Sequence, residues 1–174
     1  VLGEYAAPLA YTATAILAPL ALTLAASVAQ KEKWLPPIVE GTLQVAVSLM
    51  EAGGSRDGAA VTVADGKLSG SLLFVLGAPD ADLLLCSAPD GDLYALRRDA
   101  PGLEWRALRS IDDTRCLWEL TLQNVPAELL PQAEGDVIAP LLAAGRIALA
   151  ADTLGAAQSM LDKAVAYAGE RQQF

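Results

Sequence analysis

The chain has 174 residues, 53% of them hydrophobic, enough for one sizeable core or two small ones, and general disorder is excluded. Its 12 Lys+Arg against 21 Asp+Glu give a net charge of −9, so neither a phosphate backbone nor an anionic bilayer is attracted, and no nucleic-acid or membrane-surface partner is expected. There is no histidine, and Cys86 and Cys116 form no Cys-x-x-Cys spacing, so zinc and redox-motif chemistry lacks ligands and the thiols read as buried and unbridged in a reducing cytosol.

Val1 to Gly3 offer no basic region of a secretory leader, and the chain reads as a piece of a longer protein, starting without methionine and stopping at Phe174 inside a continuing helix. The uncharged run from Tyr5 to Gln30 is long enough to cross a bilayer. It is dominated by alanine, which gains little from insertion, and is interrupted by Pro8 and Pro19, so a buried helix of a soluble, cytoplasmic protein is expected. Ile16, Leu17, Leu20 and Leu24 recur near a helical period; Pro8 suits a first turn, and Pro19 should kink or divide the run. The stretch Ala29 to Leu35 predicts a short amphipathic turn or two stopped by Pro36-Pro37, with Gly41 closing the region.

From Leu43 to about Val125 the texture changes to short β-type runs: Val45 to Leu49, Ala59 to Val63, Leu68 to Leu76, Leu83 to Ala88, Leu93 to Arg97 and Leu117 to Val125. Gly53-Gly54, Asp65-Gly66, Pro89-Asp90-Gly91 and Pro101-Gly102 punctuate them, and Asp65-Gly66 predicts a tight hairpin because both residues tolerate positive φ. So many short strands imply a sandwich or barrel. The last region opens with Pro140 near a helix start. Ile147, Ala151, Leu154, Leu161, Val165 and Ala168 then fall on one stripe, as in a bundle helix that needs further helices to cover it.

Three stretches resemble the acyl-CoA dehydrogenase family. Gln30-Lys31-Glu32-Lys33-Trp34-Leu35 with Gly41 looks like the segment leading into the family's middle domain, and Leu49-Met50-Glu51-Ala52-Gly53-Gly54 stands where the family has Thr-Glu-Pro-Gly. Arg146 through Gln158, with Leu154-Gly155, then Tyr167-Ala168-Gly169-Glu170-Arg171-Gln172-Gln173-Phe174, matches the family's Leu-Gly followed by Tyr-Ala-x-x-Arg-x-x-Phe. The resemblance implies an α+β multidomain fold: the end of an N-terminal helical domain over 1–42, a middle β-barrel or sandwich domain over 43–130, and the first long helix of a C-terminal four-helix bundle over 131–174. It also implies FAD, α,β-dehydrogenation of a fatty or steroid-type acyl-CoA to the enoyl-CoA, an electron-transfer flavoprotein or similar acceptor, and a homo- or hetero-oligomer built through the bundle.

In the family a glutamate removes the α-proton while the β-hydride passes to the flavin. The usual base is expected beyond Phe174, and the alternative position on the long helix is Gly145, which cannot serve. The segments that hold the flavin ring correspond to Met50 and to Phe74-Val75-Leu76, so a hydroxyl is lost at each place, and Phe74 and Trp34 read as core residues before cofactor contacts. Either backbone donors rebuild the ring site, or the subunit is a non-catalytic partner, as in hetero-oligomeric steroid-degrading members, that completes a neighbour's FAD site. Arg171 and Phe174 keep the pattern that reaches the FAD of a neighbouring subunit, a guanidinium being the natural partner of a pyrophosphate; otherwise Arg171 is an exposed cation beside Glu170 or Asp162. Arg146 matches an arginine near the acyl-CoA pocket. Arg97, Arg98, Arg106 and Arg109 are flanked by acids and read as solvated faces, and Asp80, Asp82, Asp112 and Asp113 lack the spacing of a metal loop.

Overall fold

The computed structural model describes residues 2–5, 7, 10–49, 61–77, 81–89, 91–112, 117–131 and 135–172; the side chain of Leu76 is outside the description. A 3-10 turn, Gly3–Tyr5, leads to a π-helical segment, Thr12–Leu17, which passes directly into helix α1, Ala18–Ala25. The division expected at Pro19 takes this form: the Ala18 N–H reaches five residues back to the Ala13 carbonyl, and the wider turn precedes the proline ring, which would otherwise meet the preceding turn. Ala13, Leu17, Ala18, Ala21, Leu22, Ala25 and Ala26 are buried, so one side of the helical part of the uncharged run is core in this fold, while Tyr11 and Val28 are exposed.

Helix α2, Val28–Val39, starts with a capping box in which the Ser27 hydroxyl accepts from Gln30 N and the Gln30 side chain accepts from Ser27 N. The expectation that Pro36-Pro37 stops this helix is corrected: both prolines lie inside it. Two adjacent prolines remove two N–H donors but keep helical φ, and the chain turns only where Gly41, at φ 73, provides a left-handed residue. There Gly41 N donates to Ile38 O and Thr42 N to Pro37 O, the paired bonds of a Schellman cap.

Among the described residues eight strands form one sheet: β1 Val45–Ser48, β2 Val61–Ala64, β3 Lys67–Leu76, β4 Leu83–Ser87, β5 Leu93–Arg97, β6 Leu103–Ala107, β7 Leu117–Pro126 and β8 Glu128–Leu129. Along the sheet the order is β6, β7, β3, β1, β4, β5, β8, with β2 also on β3; among these described strands the β1–β4 pair is parallel and the other pairs are antiparallel. The Asp65-Gly66 hairpin is as predicted, with φ 49 and 70 at the two turn residues. Strands β6 and β8 were not expected.

Strict alternation gives the sheet two faces. Val45, Val47, Leu83, Leu85, Leu93 and Ala95 pack against the helices, together with Trp34, Ile38 and the α3 residues Ile138 and Leu141. Ala46, Leu84, Cys86, Tyr94 and Leu96 face the other way and form a second core with Val61, Leu68, Leu72, Val75, Leu120, Leu122 and Val125. Full burial drives the Cys86 thiol pKa up to about 12. Cys116 lies outside the described residues.

Helix α3, Ile138–Glu170, has 33 residues and so runs about 50 Å. Asp136 Oδ1 accepts from Ile138 N and Ala139 N at its start. Among the described residues it is the one helix long and apolar enough to cross a membrane by length and composition. Its two sides differ: Gly145 faces Leu17 and Gly155 faces the 3-10 turn, whereas Ile147, Leu154, Leu161 and Val165 are exposed. The apolar stripe read from the sequence therefore points away from everything the described residues supply to cover it.

Candidate functional site

Two segments singled out in the sequence, far apart along the chain, converge at the end of β1. Val47 stands opposite Leu76 in the antiparallel β1–β3 pair, so the residues following Val47 run alongside those preceding Leu76. Phe74-Val75-Leu76 thus lies beside Val47-Ser48-Leu49, immediately before Met50; Met50 itself and residues 51–60 lie outside the described residues. On its other side β3 pairs with β7, where the register shifts between Leu72 and Val75. Phe74 occupies this bulge with φ 55, a left-handed backbone that bulky residues rarely adopt.

The core expectation for Phe74 is corrected: it is 46% exposed. In a regular strand the side chain would follow alternation into one of the two cores, and the left-handed bulge breaks that alternation. An exposed phenyl ring on a strained bulge can offer its face to a flat conjugated ligand. Trp34, 5% exposed, is core as expected.

Ser48 stands in a short β-type run with no motif to single it out. Its hydroxyl is buried and has no hydrogen-bond partner among the described residues. It pairs with Cys86 across the sheet and follows Ala46 by two positions, which places it on the face of the second core. Ser48 is therefore directed away from Val47 and Leu49, and does not stand in for the hydroxyls missing at positions 50 and 76. Thr14 ties the π-helical segment to the same strand: its Oγ1 donates to Val45 O at 3.0 Å and accepts from Val45 N at 3.3 Å.

Gln30 explains why the Gln-Lys-x-x-Trp-Leu segment matters structurally. Besides capping α2, its Nε2 donates to Glu128 Oε1 at 2.8 Å and to Leu129 O at 2.9 Å, fastening the helix to β8. Lys33 Nζ lies 3.5 Å from Glu128 Oε2.

At the other end, Arg171 caps α3. Its Nη1 donates to Tyr167 Oη at 2.7 Å, and the guanidinium carbon lies 5.5 Å from the Tyr167 ring centre. Tyr167, rather than Glu170 or Asp162, is thus its partner, and Asp162 accepts from Gln158 Nε2 at 2.8 Å. An exposed guanidinium resting on one neutral ring keeps donors available for an anion. Phe174 lies outside the described residues. Arg146 is exposed at a shallow depression on α3 that Leu149, Ala150, Thr153, Leu154 and Ala157 complete. The structure brings Phe74 and the β1 end together; Arg146 and Arg171 sit separately on one helix.

No family model matches the chain. It is 33% identical over 168 residues to the short-chain specific acyl-CoA dehydrogenase of Megasphaera elsdenii, covering 84% of this chain and 44% of that protein. The butyryl-CoA dehydrogenase structure from Megasphaera elsdenii superposes with a TM-score of 0.84 at 29% identity, covering 99% of this chain and 51% of that one. A steroid ACAD structure superposes with a TM-score of 0.83 at 31% identity, covering 99% of this chain and 48% of that one. The chain thus spans about half the length of the proteins it matches. Helices, sheet and long helix follow in the same order along the shared region, and with sequence similarity spread over nearly all of it, the chain belongs to the acyl-CoA dehydrogenase family.

Proposed function

We propose that the protein binds FAD and oxidises an acyl-CoA thioester to its enoyl thioester, with 1–42, 43–130 and 131–174 contributing to three successive domains. The observation that carries this reading is the β1–β3 register, which sets the half-exposed, left-handed Phe74 beside Val47-Ser48-Leu49. Phe74 fits an isoalloxazine by offering an aromatic face where the family has tryptophan, and with no hydroxyl in the residue types at positions 50 and 76 the polar contacts to the ring fall to backbone groups. When bound, the flavin supplies the hydride-accepting chemistry. The chain's own residues pack and orient the ring, and Arg171, with Phe174 of the same motif, serves FAD held largely by a neighbouring subunit, the guanidinium donating to its pyrophosphate. Arg146 serves the acyl-CoA side. Named relatives include a short-chain acyl-CoA enzyme and a steroid ACAD, so the substrate is a thioester of the fatty or steroid side-chain class. The electron acceptor is an electron-transfer flavoprotein or a similar protein.

Anaerobic addition of straight-chain and steroid side-chain acyl-CoA thioesters to the full-length purified protein tests this. Loss of the flavin absorbance bands with one of them is expected. A protein that carries flavin but bleaches with none of these thioesters would refute the dehydrogenase reading.

A further inference from the structure

We propose that Gly155, with Gly3 across from it, is a positioning residue that sets the tilt of α3 and so the place of Arg171. This rests on the reading of Arg171 as an FAD contact. The 3-10 turn crosses α3 backbone to backbone. A Cβ on Gly155 would lie 3.1 Å from Glu4 N and 3.3 Å from Gly3 C and Cα. A Cβ on Gly3 would overlap the Asp152 carbonyl oxygen. Neither glycine is there for its own φ, since neither has a positive one; each is there for the closeness of the crossing.

The crossing lies partway along a lever. The helix is anchored at Ile138 and Leu141, its two buried residues. At about 1.5 Å per residue, Gly155 stands about 21 Å beyond Leu141 and Arg171 about 45 Å beyond it. The few tenths of an ångström that a Cβ at Gly155 demands are therefore about doubled at Arg171, which lengthens and weakens a guanidinium–phosphate hydrogen bond, and the bulkier valine displaces it further. Gly145 and Gly169 differ: a Cβ at Gly145 would meet only Leu17 Cδ2 at 3.7 Å, an ordinary contact, and one at Gly169 would meet nothing within 4 Å.

The test is a double-mutant cycle on FAD affinity in the assembled full-length protein, with Gly155→Ala, Gly155→Val, Arg171→Ala and the combinations. Arg171→Ala is expected to raise the FAD Kd about ten- to a hundredfold. Gly155→Ala should raise it about threefold and Gly155→Val about tenfold or more, with the KM for acyl-CoA at saturating FAD unchanged. With Arg171→Ala already present, either change at Gly155 should add nothing. A Gly155 effect that persists in full without Arg171, or no Gly155 effect while Arg171→Ala has one, overturns the proposal. No effect of Arg171→Ala itself overturns the underlying reading of Arg171 as well. Where Gly155→Val does not assemble, Gly155→Ala carries the same cycle.

Discussion

Gln30→Glu separates two jobs done by one side chain. Glutamate is as good a partner as glutamine in a capping box, and a negative charge in the first turn is favoured by the helix dipole, so local helix rules alone predict equal or greater stability. The structure predicts the reverse. Gln30 is 7% exposed, and its Nε2 donates at 2.8 Å to Glu128 Oε1 and at 2.9 Å to Leu129 O. A carboxylate there sets acceptor against acceptor and one negative charge against another. Two lost hydrogen bonds, one to a charged group, together with partly screened repulsion near Lys33, amount to about 2–4 kcal/mol. Urea unfolding at pH 7 should show this as a lower midpoint with an unchanged slope. Repulsion raises the folded pKa of the new carboxyl, so the penalty grows as pH rises through that pKa and fades towards about pH 4, where the protonated group can donate again. Adding Glu128→Gln to Gln30→Glu reverses donor and acceptor and should recover about 1–2 kcal/mol. If Gln30→Glu equals or exceeds the parent in stability at pH 7, the fastening of α2 to β8 contributes nothing and the reasoning fails.

Phe74→Gly should stabilise the fold slightly, by up to about 1 kcal/mol, because glycine accepts φ 55 without strain, while FAD affinity falls several-fold; a thermal melt and an FAD titration read the two signs. Gly169→Ala should raise stability by about 0.5–1 kcal/mol, whereas Gly102→Ala should lower it by more than 1 kcal/mol. Gly102 has φ 83 and a Cβ there would meet the Gln123 carbonyl, so paired chemical denaturation of the two variants checks the contrast. Cys86, with its pKa pushed to about 12, should resist alkylation in the native state. Its contribution to stability is complete below the ordinary thiol value of 9.0 and is lost as pH rises from there towards 12, because the unfolded chain gives up the proton first; the stability of the parent relative to Cys86→Ala should therefore fall steadily across that window in alkaline unfolding curves.

Local chemistry was legible in the sequence where one contiguous stretch decides the outcome. Asp65-Gly66 announces its hairpin because both residues accept the required backbone, and Ser27 with Gln30 marks a helix start by its spacing. Pro36-Pro37 misled because a proline removes hydrogen bonds without changing φ, and the glycine four residues on, not the prolines, turns the chain. Strand β6 was hidden by its charges: Glu104 and Arg106 alternate with Leu103, Trp105 and Ala107, and Arg106 pairs with the buried Glu119 across β7. Strand β8 has too few residues to carry a pattern. At the candidate site, family resemblance named the segments around Met50 and Phe74, but the left-handed bulge that exposes Phe74 leaves no trace in residue type. The crossing of Gly3 and Gly155 joins opposite ends of the chain, which no local pattern can report.

The most direct measurement of the central claim is the flavin content of the assembled full-length protein, obtained by FAD titration with absorbance of the bound flavin compared with protein concentration. Phe74 beside the β1 end, and Arg171 at the end of α3, predict one FAD per chain in the saturated assembly. Saturation well below one FAD per chain, or no binding, would contradict it and leave this chain as the partner that completes another subunit's site.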